Sequence, residues 1–209
     1  RAVWQMVTYA ERTGVDVVTC RAAVDYPDGR TAIRYLDRPT TFTPDVIASE
    51  LLHFPAGLPS SPGAALIRTE HARAALDAAL PTPCLKRAIG PDLLMTYWGV
   101  FAGGRGVHLP DVLARFAAGD DSITVRTKRA VLSSCYCAAL DHLIQASDRK
   151  PTRTTLRRLR SRAALDAMLG GEPEALIYPR RLSLRASVYD TYQLTRHFFR
   201  MHVLGQQDI

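Results

Sequence analysis

Long apolar stretches are absent from this 209-residue chain. No run approaches the roughly 18–20 apolar residues that a membrane-crossing helix requires, so no such span is expected. Cysteine is scarce: Cys20, Cys84, Cys135 and Cys137 follow no disulfide-framework spacing. A chain of this length buries enough core to fold without covalent staples. Free thiols in an intracellular, reducing compartment are therefore expected. Lysine is nearly missing, with 3 Lys beside 24 Arg. Arginine presents a planar fork that pairs bidentately with phosphate and carboxylate, whereas lysine is a hydrated point charge.

Catalytic signatures are also lacking. The chain has no Gly-x-Ser-x-Gly elbow and no His-Glu-x-x-His pair. Acidic residues stand scattered, with Asp120-Asp121 in a loop after Gly119, so a two-carboxylate site has no anchor. The stretch Gly99-Val-Phe-Ala-Gly-Gly-Arg-Gly106 echoes a phosphate loop but lacks its Lys and Ser/Thr, and reads instead as the loop ending a helix. Cys135 and Cys137 precede Asp141 and His142, but on a helix residues two apart point about 200° away from each other. Both thiolates cannot reach one ion. His197 and His202 are likewise five apart, not four. No metal and no cofactor are expected.

What is present reads as a packed globule, with 47% hydrophobic and 22% charged residues. The chain opens Arg1-Ala-Val-Trp-Gln, without an initiator Met or the apolar core of a secretory signal. Loss of an Arg-rich presequence would suit a basic protein of an organellar matrix, such as that of the mitochondrion. Turn-forming residues concentrate at Phe54-Pro-Ala-Gly-Leu-Pro-Ser-Ser-Pro-Gly63 and at Pro81-Thr-Pro83. Dividing the chain at the second break separates charge. Residues 1–83 hold 8 basic and 9 acidic groups, residues 84–209 hold 19 and 11. The whole positive excess lies in the second part, as a localised binding face would require.

Residues 1–83 read as a small mixed α/β region. A helix over 4–12 stops at Gly14. Residues 15–24 place Val18, Cys20, Ala22 and Val24 on one face of a strand. Tyr26-Pro-Asp-Gly-Arg30 is a turn in which Pro presets φ, Asp bonds the backbone and Gly takes positive φ. Residues 31–36 return as the second strand of a hairpin. Thr43-Pro-Asp opens a helix to His53, with Thr as N-cap and Asp near the positive helix end. Residues 69–80 form an Ala-rich helix. Residues 84–209 read as an all-helical basic region, with helices at 91–102, 110–118, 123–147, 153–169 and about 185–204. Prolines sit near their starts and glycines near their ends. The fold class expected is α+β, predominantly α: a helix and a hairpin region followed by about five helices.

The feature that points to function is Arg149-Lys-Pro-Thr-Arg-Thr-Thr-Leu-Arg-Arg-Leu-Arg-Ser-Arg162, seven basic residues without an acid. On a helix, Leu156, Leu159, Ala163 and Ala167 form a narrow apolar stripe. Arg153, Arg157, Arg158, Arg160 and Arg162 fan around the remainder, with Arg149 and Lys150 at the start. Crowded like charges repel until an anion neutralises them, and phosphates along a nucleic acid do so with release of counterions. Arg180, Arg181 and Arg185 continue the expected surface. The partner expected is a nucleic acid, RNA favoured, or an acidic protein subunit. This describes a non-enzymatic structural component of a multi-subunit assembly such as a ribonucleoprotein.

Two other readings are carried. Arg196-His-Phe-Phe-Arg-Met-His202 resembles the Arg-x(4–6)-His signature of helical HEPN-type ribonucleases, over these seven residues. The resemblance implies a dimer cleft in which Arg196 holds phosphate and His202 transfers a proton, without a metal. The third reading is a helix-turn-helix DNA-binding regulator using the 153–169 helix, which would require base-specific contacts.

Overall fold

The structure, a computed structural model, describes residues 2–34, 40–53, 62–86, 88–119 and 127–169. A helix α1 (Ala2–Thr13) ends at Gly14, whose φ of +65° and 2.8 Å bond to the Ala10 carbonyl close it as the sequence signals. β1 (Val17–Asp25) and β2 (Thr31–Arg34) then form the expected hairpin, with Asp25 opposite Thr31. Each turn signal is used: Gly29 has φ +83°, the Arg30 N–H donates to Asp28 Oδ1 at 3.0 Å, and Tyr26 N–H donates to the Arg30 carbonyl.

The predominantly helical expectation is overturned. The centre of the molecule is a mixed sheet of five strands curled into a half-barrel, with helices packed on it. β3 (Thr41–Phe42), β4 (Ala65–Ile67) and the 12-residue β5 (Gly106–Ala117) complete it. β5 runs parallel to β1 along one edge, and β2 and β4 pair antiparallel with β1 along the other. β3 pairs antiparallel with the start of β5. The expected helix at 110–118 is thus a strand, drawn from the region read as all-helical. Pro110-Asp111 carries the same helix-start signature as Pro44-Asp45, but Val107, His108 and Leu109 are buried against β1. Proline is tolerated there because the ladder slips at that point, with Leu109 opposite Cys20 and Val112 opposite Arg21.

The other elements are helical. α2 (Pro44–His53) follows β3, and a 3-10 turn (Pro62–Ala64) leads into β4. α3 (Thr69–Leu76) is shorter than expected, and α4 (Thr82–Lys86) occupies the Pro81-Thr-Pro83 break. α5 (Pro91–Phe101), α6 (Arg129–Ala146) and α7 (Lys150–Leu169) realise three of the helices expected in the second part. The helix expected at 185–204 lies outside the described residues. Among the described residues, no helix is long and apolar enough to cross a membrane.

β1 is buried on both faces because it is central. Val18 and Cys20 pack with Met6, Tyr9 and Ala10 of α1, together with Val107 and Leu109. Val17 belongs to the larger core, with Leu94, Tyr97, Val100 and Phe101 of α5, Leu140 and Leu143 of α6, and Leu156 of α7. Thr19 and His108, opposite each other on β1 and β5, pair Oγ1 to Nδ1 at 2.9 Å inside the sheet. At the start of β1, Asp16 ties three connections together. It accepts from Arg68 Nε at 3.0 Å and from the Arg105 N–H at 3.0 Å, with His71 Nε2 at 3.5 Å. α6 and α7 pack as an antiparallel hairpin, with Asp141 beside Arg160 and Ala130 beside Ala167.

Candidate polyanion-binding face

α7 forms because Pro151 sits in its first turn and no glycine interrupts it. The hydroxyls of Thr154 and Thr155 donate back to the carbonyls of Lys150 and Pro151, at 3.0 and 3.3 Å, so they stay on the helix. The apolar stripe turns inward as expected. Leu156 is fully buried, Leu159 and Ala163 pack against the same core, and Ala167 meets Ala130 of α6.

The arginines divide into two kinds. Arg160 is drawn inside: its side chain is 9% exposed and its Nε lies 3.1 Å from Asp141 Oδ1 on α6. The Cys137 thiol also donates to the Arg160 carbonyl at 3.6 Å. The expectation that Arg160 fans outward is corrected by helix geometry. It lies four residues after Leu156, a rotation of only about 40° from it and about 20° beyond the edge of the buried stripe. Arg149 is held differently. Its Nη2 lies 2.7 Å from Asp45 Oδ2 in the first turn of α2, with both side chains partly exposed, at 49% and 38%. The Thr152 hydroxyl, buried, donates to the other oxygen of Asp45. Arg162 is half-buried and is engaged as well.

Four cations remain. Lys150, Arg157 and Arg158 are exposed and Arg153 is half-buried. Among the described residues, no carboxylate is within ion-pair distance of any of them. At 100° per residue, Lys150, Arg153 and Arg157 share a band about 60° wide, with a rise of about 10 Å along the helix, and Arg158 flanks it. The half-exposed Asp45–Arg149 pair is of a kind worth about 0–1 kcal/mol. Breaking a pair as enclosed as Asp141–Arg160 costs several times more. The expected residues Arg180, Arg181 and Arg185, and the pair Arg196 and His202, lie outside the described residues.

The groups with displaced proton affinities lie elsewhere and have structural causes. Burial pushes the Tyr136 phenol up to about 12, with the charges of Asp92 and Cys135 adding to it. Burial also raises the Asp92 carboxyl, against the N–H groups it accepts at the start of α5, Leu93 among them at 2.8 Å. The Cys20 thiol is raised by burial. Among the described residues, no three His, Cys, Asp or Glu side chains group as metal ligands.

Sequence reasoning missed Asp45 and Asp141 as partners of the basic helix. Asp45 carries a signal only as a helix-start acid, and Asp141 only beside the cysteines. Their role depends on which helices pack together. The chain matches no protein-family model, no curated protein and no solved structure.

Proposed function

We propose that this chain is a non-enzymatic subunit of a larger assembly that docks the exposed cations of α7 on a polyanion, an RNA or nucleoprotein in preference to an acidic protein subunit. The observation that carries the reading is the row Lys150, Arg153, Arg157 and Arg158. It stays unmatched among the described residues while its neighbours Arg149 and Arg160 are each matched by a carboxylate of the same chain. Selective compensation of that kind leaves a charge density that an external phosphate chain can neutralise. Three of the four cations are arginine, whose fork suits phosphate oxygens.

A helix-turn-helix reading draws no support from the packing. α6 and α7 lie antiparallel along their length, with Asp141 beside Arg160 and Ala130 beside Ala167. That motif crosses its helices at about 90–120°. The ribonuclease reading is separated by replacing Arg196 and His202 together, which abolishes RNA cleavage if the pair is catalytic.

The test uses the full chain and a fluorescein-labelled single-stranded RNA, with anisotropy measured across a KCl series. Changing Lys150, Arg153, Arg157 and Arg158 together to Gln is expected to weaken binding and to flatten the log–log salt slope by roughly 3, at about 0.7 per phosphate contact. Circular dichroism of the variant should match that of the parent. An unchanged slope, or loss of the fold, would sink the proposal.

A further inference from the structure

We infer that Asp45 is a built-in competitor for the polyanion, withholding Arg149 from the cation row. This rests on the docking function proposed above and assigns that face its regulation. Three observations carry it.

Arg149 is adjacent in sequence to Lys150, the first cation of the row, and its carbonyl accepts the Arg153 N–H at 3.0 Å as the first turn of the helix closes. Its side chain therefore emerges at the end of the row. The guanidinium nevertheless turns to Asp45, with Nη2 2.7 Å from Oδ2. Second, this pair is open to solvent on both partners, so an incoming anion can reach the guanidinium without unfolding anything. The Asp141–Arg160 pair on the same helix is enclosed and cannot exchange in this way. Third, the Asp45 carboxylate is anchored independently of Arg149. Its other oxygen accepts from the buried Thr152 hydroxyl, and the residue belongs to the first turn of α2. Arg149 therefore stays paired in the parent, and loss of the Asp45 charge alone frees it for a phosphate. The carboxylate also stands beside the row as a negative charge, which sets a threshold against weak or sparse anions.

The design predicts a coupled pair of effects. The probe is a fluorescein-labelled oligo(U) RNA bound to the full chain across a KCl series. Asp45→Asn keeps an oxygen for Thr152 but drops the charge, so it should bind more tightly than the parent and steepen the salt slope by about 0.7, one added phosphate contact. In an Arg149→Gln background the same change has nothing to release, and the slope should stay where Arg149→Gln alone puts it. A single comparison that leaves Asp45 intact checks the same point, since Arg149→Gln should flatten the slope less than Arg157→Gln.

An unaltered slope in Asp45→Asn overturns the inference. So does steepening by the same amount in both backgrounds, which would be a general field effect, and so does equal flattening by Arg149→Gln and Arg157→Gln. If the parent chain itself binds oligo(U) without salt dependence, the docking function falls along with it. If the parent binds and only the Asp45 effect is missing, the inference alone falls.

Discussion

Phe42 fills the space that a side chain on Gly106 would need. The two residues are partners in the β3–β5 ladder, and a Cβ on Gly106 would fall within the van der Waals envelope of the Phe42 ring. The fully buried ring thus substitutes for the missing side chain at the start of β5. This contact anchors the short β3, and with it the entry to α2, onto the strand that the sequence conceals best.

Gly106→Ala should therefore destabilise the protein by about 1–3 kcal/mol, the usual cost of overpacking a filled interior. Thermal or urea unfolding measures it. Combining it with Phe42→Leu should recover part of the loss. A neutral single substitution would contradict the packing described.

The two classes of arginine on α7 separate in stability as well as in binding. Asp141→Ala removes the carboxylate beside Arg160 in a nearly closed site and should cost about 2–4 kcal/mol. Arg157→Gln removes an exposed charge and should change stability by no more than about 0.5 kcal/mol. Urea midpoints of the two variants at one ionic strength make the comparison.

Acid should act through Asp25. The Arg115 guanidinium, donating to it at 2.6 and 3.0 Å, holds this carboxyl down to about 2, with the Thr31 hydroxyl helping. Its folded value lies below its ordinary one of 3.8, so the contribution is complete above about pH 4 and vanishes as pH falls through 2. Asp25→Asn should have lost that contribution at every pH. The gap between parent and variant urea midpoints should close between pH 5 and pH 2.

All four cysteines are buried and free of disulfides. A thiol reagent such as dithionitrobenzoate should label none of them rapidly in the folded protein and all four in denaturant, since the thiolate rather than the buried thiol reacts. Fast labelling of Cys20, whose thiol is raised by burial, would contradict its place under α1.

How much of this was legible in the sequence follows from the range of the forces involved. The hairpin was readable because Pro27, Asp28 and Gly29 each act on their own backbone. The helices α1, α2 and α5 were readable for the same reason, from caps and prolines at their ends. β5 was not readable. Pro110-Asp111 imitates a helix start, and the interaction that overrides it is pairing with a strand about 90 residues earlier. At the candidate site, the sequence supplied the basic helix and its inward stripe from periodicity alone. It did not supply the sorting of the arginines, because Asp45 and Asp141 become partners only once α2 and α6 have packed on α7. Arg180, Arg181 and Arg185 fall outside the residues the structure describes.

The parallel pairing of β1 with β5 also fixes an order of events. β1 leaves the ribosome about 90 residues ahead of its long partner, and at 5–20 residues per second that gap lasts roughly 5–20 seconds. During it β2, reached across a five-residue turn, and then β4 can pair along one edge, so the hairpin forms first and the edge that β5 will occupy waits open. The nascent chain is most exposed to misassociation in that interval, and the arrival of Gly106 and Val107 beside Val17 and Val18 ends it.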